Sequence, residues 1–196
     1  DADDYSDFES LAVPNVISPD EDGNIIEFDD IPSKNPNDNI DVISDIGNNI
    51  TYIKGDLNMK SSVNNTIVGN GVLIIDGSLT IGNNFNINQG VENEDKFFSI
   101  IVRGDVDSGI VFEGDNSFAI RGFVYSGGTT QLGNKFDIVG SLAVDGDLTL
   151  SNSNNDVNIQ FDPRFIDNLF NYGITFPSTD DTEERSVFKL VSWLEN

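Results

Sequence analysis

The stretch Gly71-Val72-Leu73-Ile74-Ile75-Asp76-Gly77-Ser78-Leu79-Thr80-Ile81-Gly82-Asn83-Asn84-Phe85-Asn86-Ile87 decides the fold. It holds three short β-type runs separated by two turn signals, Asp76-Gly77-Ser78 and Gly82-Asn83-Asn84. Leu79 and Ile81, then Phe85 and Ile87, alternate with polar residues, the period of two by which a strand points one row inward. A helix is excluded because Asn, Gly and Ser interrupt each run before two helical turns can form. Gly permits positive φ at a corner, and Asn tolerates the same left-handed conformation.

The corner recurs along the chain. Ile53-Lys54-Gly55-Asp56-Leu57, Ile75-Asp76-Gly77-Ser78-Leu79, Val102-Arg103-Gly104-Asp105-Val106 and Val144-Asp145-Gly146-Asp147-Leu148 share one pattern, and Tyr125-Ser126-Gly127-Gly128-Thr129 is a degenerate copy. The glycines of the five copies lie 22, 27, 23 and 19 residues apart. Repeats of this length signal solenoids, and three short strands plus turns fill one coil of a β-helix. The expected fold is all-β: a single-stranded β-helix (β-solenoid) of about five coils over residues 50–160. The turns Gly133-Asn134 and Ser151-Asn152-Ser153-Asn154-Asn155 suit further corners, and the longest interval reads as a loop from Val91 to Phe98 carrying Glu92, Glu94 and Asp95.

Solenoid ends expose strand edges and an unpaired core, so caps are expected. In Phe161-Asp162-Pro163-Arg164-Phe165-Ile166-Asp167-Asn168-Leu169-Phe170, Asp162 reads as an N-cap and Pro163 as the first helical residue. Phe165, Ile166, Leu169 and Phe170 share one helical face. This short C-terminal capping helix is expected to cover the last coil. The run Val187-Phe188-Lys189-Leu190-Val191-Ser192-Trp193-Leu194 reads as a strand returning along the body, completing a cap over residues 161–196.

Composition narrows the chemistry. Of 196 residues, 34 are acidic and 10 basic, for a net charge of -24, so nucleic acid and anionic membranes are excluded as partners on electrostatic grounds. With no Cys and no His, there is no thiolate nucleophile, imidazole base or Cys/His zinc site. Residues 1–49 form an acidic, turn-rich region expected to pack on or cap the first coil; through residue 50 the chain carries 14 acids against Lys34 alone. The low Lys content and 25 Asn suit a salt-rich habitat. No apolar run is long enough to span a bilayer. A chain opening on Asp1 reads as a mature secreted protein or a domain of a longer one, with any membrane anchor upstream.

The segments Gly71–Ile81, Ile100–Val106 and Gly146–Leu150, closing with Phe161-Asp162-Pro163, resemble the β-helical C-terminal domain of type IV pilus-associated bacterial cell-surface proteins. The context is similar to that of the tāpirins. Short Gly/Asp/Leu repeats are shared with bactofilins and other β-solenoids. The resemblance implies an upstream pilin-like helix, export to the cell surface and no catalysis.

Two kinds of ligand site are candidates. For calcium, Asp20, Asp22, Asn24 and Asp29 follow the alternating oxygen-ligand order of an EF-hand-type loop around Gly23, although Asp29 replaces the closing Glu; a solvated hairpin turn is the competing reading. For carbohydrate, Tyr125, Phe97 and Phe98 are the aromatic candidates, because sugar rings stack on exposed aromatic faces. No catalytic carboxylate pair is singled out. Asp105, Asp107 and Asp115, or Asp145 and Asp147, could align in rows, with Arg103 and Arg121 as ion-pair partners, but turn acids account for them equally. The expected function is a non-enzymatic extracellular domain on a cell surface or pilus-like filament, adhering to a polysaccharide or another surface. No cofactor is required and calcium is possible; other filament or surface proteins are expected partners. A structural pilin-type subunit without a ligand is the alternative, and a polysaccharide-active enzyme a third.

Overall fold

The computed structural model describes residues 16–18, 26–27, 50–59, 65–82, 85–90, 93–104, 109–112, 117–133, 135–150, 156–171 and 174. They form a β-solenoid in which every strand pair is parallel. The first strands, β1 (Val16–Ile17) and β2 (Ile26–Glu27), pair with the next rung. That rung holds β3 (Ile50–Ile53), β4 (Leu57–Met59) and β5 (Asn65–Ile67), and the quoted stretch forms β6 (Gly71–Ile75), β7 (Leu79–Ile81) and β8 (Phe85–Ile87). Then follow β9 (Phe98–Val102), β10 (Ile110–Phe112), β11 (Ser117–Ser126), β12 (Thr130–Leu132), β13 (Lys135–Val144), β14 (Leu148–Leu150) and β15 (Asp156–Phe161). One sheet runs β2, β4, β7, β10, β12, β14; the larger sheet comprises the other strands. From β4 to β14 the chain passes through five rungs, and four turns join them. The expected five coils counted corners rather than the turns between them.

The recurring glycines stack at the corner between the two sheets. Asp76 N–H donates to the Ile53 carbonyl at 2.9 Å, Arg103 N–H to Ile75 at 2.8 Å and Gly127 N–H to Val102 at 2.8 Å, so the ladder continues through the turn. At Gly77 a Cβ would lie 2.5 Å from Asp56 Oδ1 and 2.6 Å from the Gly55 carbonyl carbon, closer than any side chain fits. The Gly repeat is therefore a steric requirement of stacked corners. Asn88 takes a second corner with φ 53°. Its amide is buried, accepting Gly69 N–H and donating to Gly69 O, both at 2.8 Å, so the side chain replaces backbone pairing between rungs.

Inside, like residues stack on like. Phe85, Phe118 and Phe136 occupy one column, with the last two rings 5.4 Å apart and nearly parallel, and Ile67, Ile87, Ile120 and Ile138 fill the next. The corner column reads Gly71, Phe98, Gly122, Gly140, Phe161. Phe98 fills the volume that its glycine neighbours leave.

The larger sheet is also apolar on its outer face, where Tyr52, Val72, Ile74, Ile101, Phe123 and Ala143 are buried. Buried on both faces, a parallel strand becomes a continuous apolar run, as in Gly71–Ile75, and Phe98–Val102 is buried throughout with Ser99 as its one polar residue. Helix α1 (Arg164–Asn171) packs here, against β11 and β13. Small Ser141 and Ala143 on β13 leave space where β11 carries Phe123 and Tyr125. Phe165 and Leu169 are buried and Ile166 half-buried, as the amphipathic pattern requires. The expected short C-terminal helix is present, and it packs on the outer face of β11 and β13, along the side of the last coils.

The last rung is consequently open. Leu148 and Leu150 stack on the inward residues Thr130 and Leu132, yet are 38% and 58% exposed, and Phe161 is 50% exposed at the end of its corner column. These are the exposed large hydrophobics among the described residues.

Candidate ligand-binding face

The expected aromatic site does not assemble on the surface. Phe98 is fully buried inside the solenoid and cannot stack on a sugar, which corrects its choice as an exposed aromatic. Phe97 is half-buried, its ring 5.0 Å from that of Phe165 at 60°, and its N–H donates to Asn70 Oδ1 at 2.8 Å. Tyr125 is half-buried on the outer face of β11, packed against the cluster that includes α1. Phe97 and Tyr125 thus help hold the helix. Asp20, Asp22, Asn24 and Asp29 lie outside the described residues, as do Glu92, Asp105, Asp107, Asp115 and the run 187–194. Among the described residues no group of three or more His, Cys, Asp or Glu could hold a metal ion, and no helix is long and apolar enough to cross a membrane.

The charged residues settle into structural pairs. Arg103 Nη1 lies 3.3 Å from Asp76 Oδ1 and donates to the Tyr52 hydroxyl at 3.4 Å, tying one corner to the rung before it. Asp145 and Asp147 are exposed at the last corner. Asp162 caps α1 as expected, accepting Arg164 N–H at 3.1 Å, and its carboxylate also takes Arg164 Nε–H at 2.9 Å. The Arg164 side-chain hydrogen bond chiefly holds the Asp162 carboxyl below the usual carboxylate range; burial opposes it, while the charges of Arg164 and Arg121 add to it.

What the structure assembles instead is an in-register outer column, polar at every described triplet but that of Val111. Five of the six strands of the smaller sheet are triplets, four of them apolar at the first position: Leu57-Asn58-Met59, Leu79-Thr80-Ile81, Ile110-Val111-Phe112, Thr130-Gln131-Leu132 and Leu148-Thr149-Leu150. Since the first residues Leu57, Leu79, Ile110 and Thr130 are buried and stack in one inward column, the central residue of each triplet points out. Register aligns Asn58, Thr80, Val111, Gln131 and Thr149 in one column. At about 4.8 Å per rung this column runs roughly 19 Å along the solenoid axis. Asn58, Thr80 and Val111 are half-buried, while Gln131 and Thr149 are exposed. Thr149 Oγ1 donates to the Thr130 carbonyl at 3.4 Å, orienting the hydroxyl along the ladder.

From Asn58 to Thr149 the column holds no ionisable residue, and the next register position, beside Asn58 on β2, is Glu27, in a chain whose net charge is -24. The outer columns of the other face differ: Lys135 and Asp156 are neighbours there, and Asn158 Nδ2 donates to Asp137 Oδ1 at 3.1 Å. The amides of Asn58 and Gln131 and the hydroxyls of Thr80 and Thr149, spaced by the rungs on either side of Val111, can donate and accept along a linear, hydroxyl-rich chain. Sequence reasoning passed over these residues because it sought aromatics. Their signal is the central position of each three-residue strand. No family model, curated protein or solved structure matches the chain.

Proposed function

We propose that the chain is a non-enzymatic extracellular β-solenoid, displayed on a cell surface or pilus-like filament, that adheres to a neutral polysaccharide through the outer face of its smaller sheet. The observation that carries this reading is the in-register column Asn58, Thr80, Val111, Gln131 and Thr149, which holds no ionisable residue up to Glu27 beside Asn58. A neutral polymer avoids the repulsion that a net charge of -24 imposes on an anionic one. The cell-surface setting rests on the resemblance to type IV pilus-associated proteins, and a calcium-holding loop at Asp20, Asp22, Asn24 and Asp29 belongs to the same reading.

Co-sedimentation with insoluble polysaccharides tests it. Cellulose or chitin should deplete the protein from solution, with binding retained in high salt, whereas cross-linked alginate should not. The double substitution Gln131→Ala with Thr149→Ala removes two side-chain hydrogen-bonding groups, each worth about 0.5–1.5 kcal/mol net, and should weaken binding roughly tenfold. Full retention in the supernatant with every neutral polysaccharide favours the second reading, a structural subunit of a surface filament. The open last rung supports that alternative, because unpaired strand edges are templates for assembly.

A further inference from the structure

The width of the smaller sheet limits how a long ligand can lie on it. Each of β4, β7, β10, β12 and β14 is three residues long and gives one outward residue, so the face is one side chain wide and five rungs long. On one side it is bounded by the glycine corner. Every exposed residue at that corner, among the described residues, is an aspartate: Asp56, Asp76, Asp145 and Asp147. Asp56 is fixed there, its Oδ1 accepting Ser78 N–H at 2.7 Å. A ligand laid across the strands therefore meets one neutral side chain and then the acidic corner. A ligand laid along the axis meets Asn58, Thr80, Val111, Gln131 and Thr149 in turn, none of them ionisable. Both ends of this run are marked: Glu27 takes the next register position beside Asn58, and Thr149 lies on β14, the end strand of the sheet.

We infer that this face holds one extended, neutral glycan chain parallel to the solenoid axis, one sugar to each rung, in five subsites from Asn58 to Thr149. The inference rests on the reading of this face as the polysaccharide-binding surface, and adds how the chain lies, how many sugars are held and which linkage is selected. Spacing carries the linkage. Rungs repeat at about 4.8 Å, and an extended chain of β-1,4-linked pyranoses advances by close to that length per sugar. An α-1,4-linked chain coils and leaves the column. Amides and hydroxyls that both donate and accept suit a chain whose successive sugars are turned over, because either edge of a sugar carries hydroxyls. Val111 supplies apolar contact at the middle rung, and the acidic corner repels chains of acidic sugars.

Calorimetric titration of the full, unsubstituted chain with β-1,4-linked glucose oligomers, from the dimer to the hexamer, tests this. Affinity should rise roughly threefold per added sugar, about the increment of one net hydrogen bond, as far as the pentamer, and then level off. The α-1,4-linked hexamer, of the same composition, should bind at least about tenfold more weakly than the β-1,4-linked one. Equal affinity from the dimer onward, or equal affinity for the two hexamers, would overturn the inference while leaving a polysaccharide-binding face. A hexamer gaining over the pentamer as much as the pentamer gains over the tetramer would overturn the five subsites. Absence of binding by every oligomer would overturn the underlying reading as well.

Discussion

Gly122→Ala is the sharpest perturbation of the solenoid. Gly122 lies mid-strand in β11, and an added Cβ would fall 2.9 Å from the Phe98 carbonyl carbon, with the carbonyl oxygen closer still. The obstacle is backbone of a paired strand, so it cannot rotate away as a side-chain tip would. Relief requires β9 and β11 to separate at a corner where β6 and β13 are stacked on either side. Overpacking costs about 1–3 kcal/mol and each ladder hydrogen bond lost another 0.5–1.5 kcal/mol. With one or two bonds broken, the expected loss is about 2–6 kcal/mol. For a domain of this size that lowers Tm by roughly 4–24 °C at about 2–4 °C per kcal/mol. Thermal denaturation followed by circular dichroism reads it, with Thr149→Ala as a surface control expected within about 0.5 kcal/mol of the unsubstituted protein. A Gly122→Ala protein melting within 2 °C of that control, as a rough threshold, would refute the stacked-corner geometry.

Two further substitutions test other joints. Asn88→Ala should destabilise by about 2–5 kcal/mol in chemical denaturation, because it orphans the Gly69 N–H and forces Ala into a left-handed conformation; Asn88→Gly should cost about 1 kcal/mol less, since only the hydrogen bonds are lost. Asp162→Asn keeps a capping side chain but removes the ion pair with Arg164. Because the folded carboxyl titrates below its unfolded value of 3.8, its contribution is present above that pH and is lost as pH falls through the lower folded value. The stability gap between Asp162 and the Asn variant should therefore be flat from pH 5 to 7, about 0.2–1 kcal/mol as for exposed pairs, and shrink below about pH 4.

The corners were legible in sequence because steric necessity fixes residue type there: Gly77 admits no Cβ, so the Gly recurs. The inward rows followed from alternation. Which of Phe97 and Phe98 points inward was not legible from the pair itself. It is set by register against Gly71 and Gly122, which leave the space Phe98 fills. Counting four residues back from the corner residues Ile75, Val102, Ser126 and Val144 aligns Gly71, Phe98, Gly122 and Gly140, so a register count recovers it. The helix was legible through Asp162, Pro163 and its apolar face, but its docking was not. That depends on Ser141 and Ala143 opposite bulky neighbours, and on an outer face whose apolar character shows only in the run Gly71–Ile75 and in the largely apolar Phe98–Val102. The ladder was missed because its residues are ordinary one at a time and gain meaning only when register aligns them.

The most direct test of the central claim is amide chemical-shift mapping during titration with a soluble, uncharged β-linked oligosaccharide. The expected shifts run along Thr80, Val111, Gln131 and Thr149, on strands consecutive in the sheet and far apart in sequence. Shifts confined to Phe97, Tyr125 and α1, or no shifts at millimolar ligand, would contradict it.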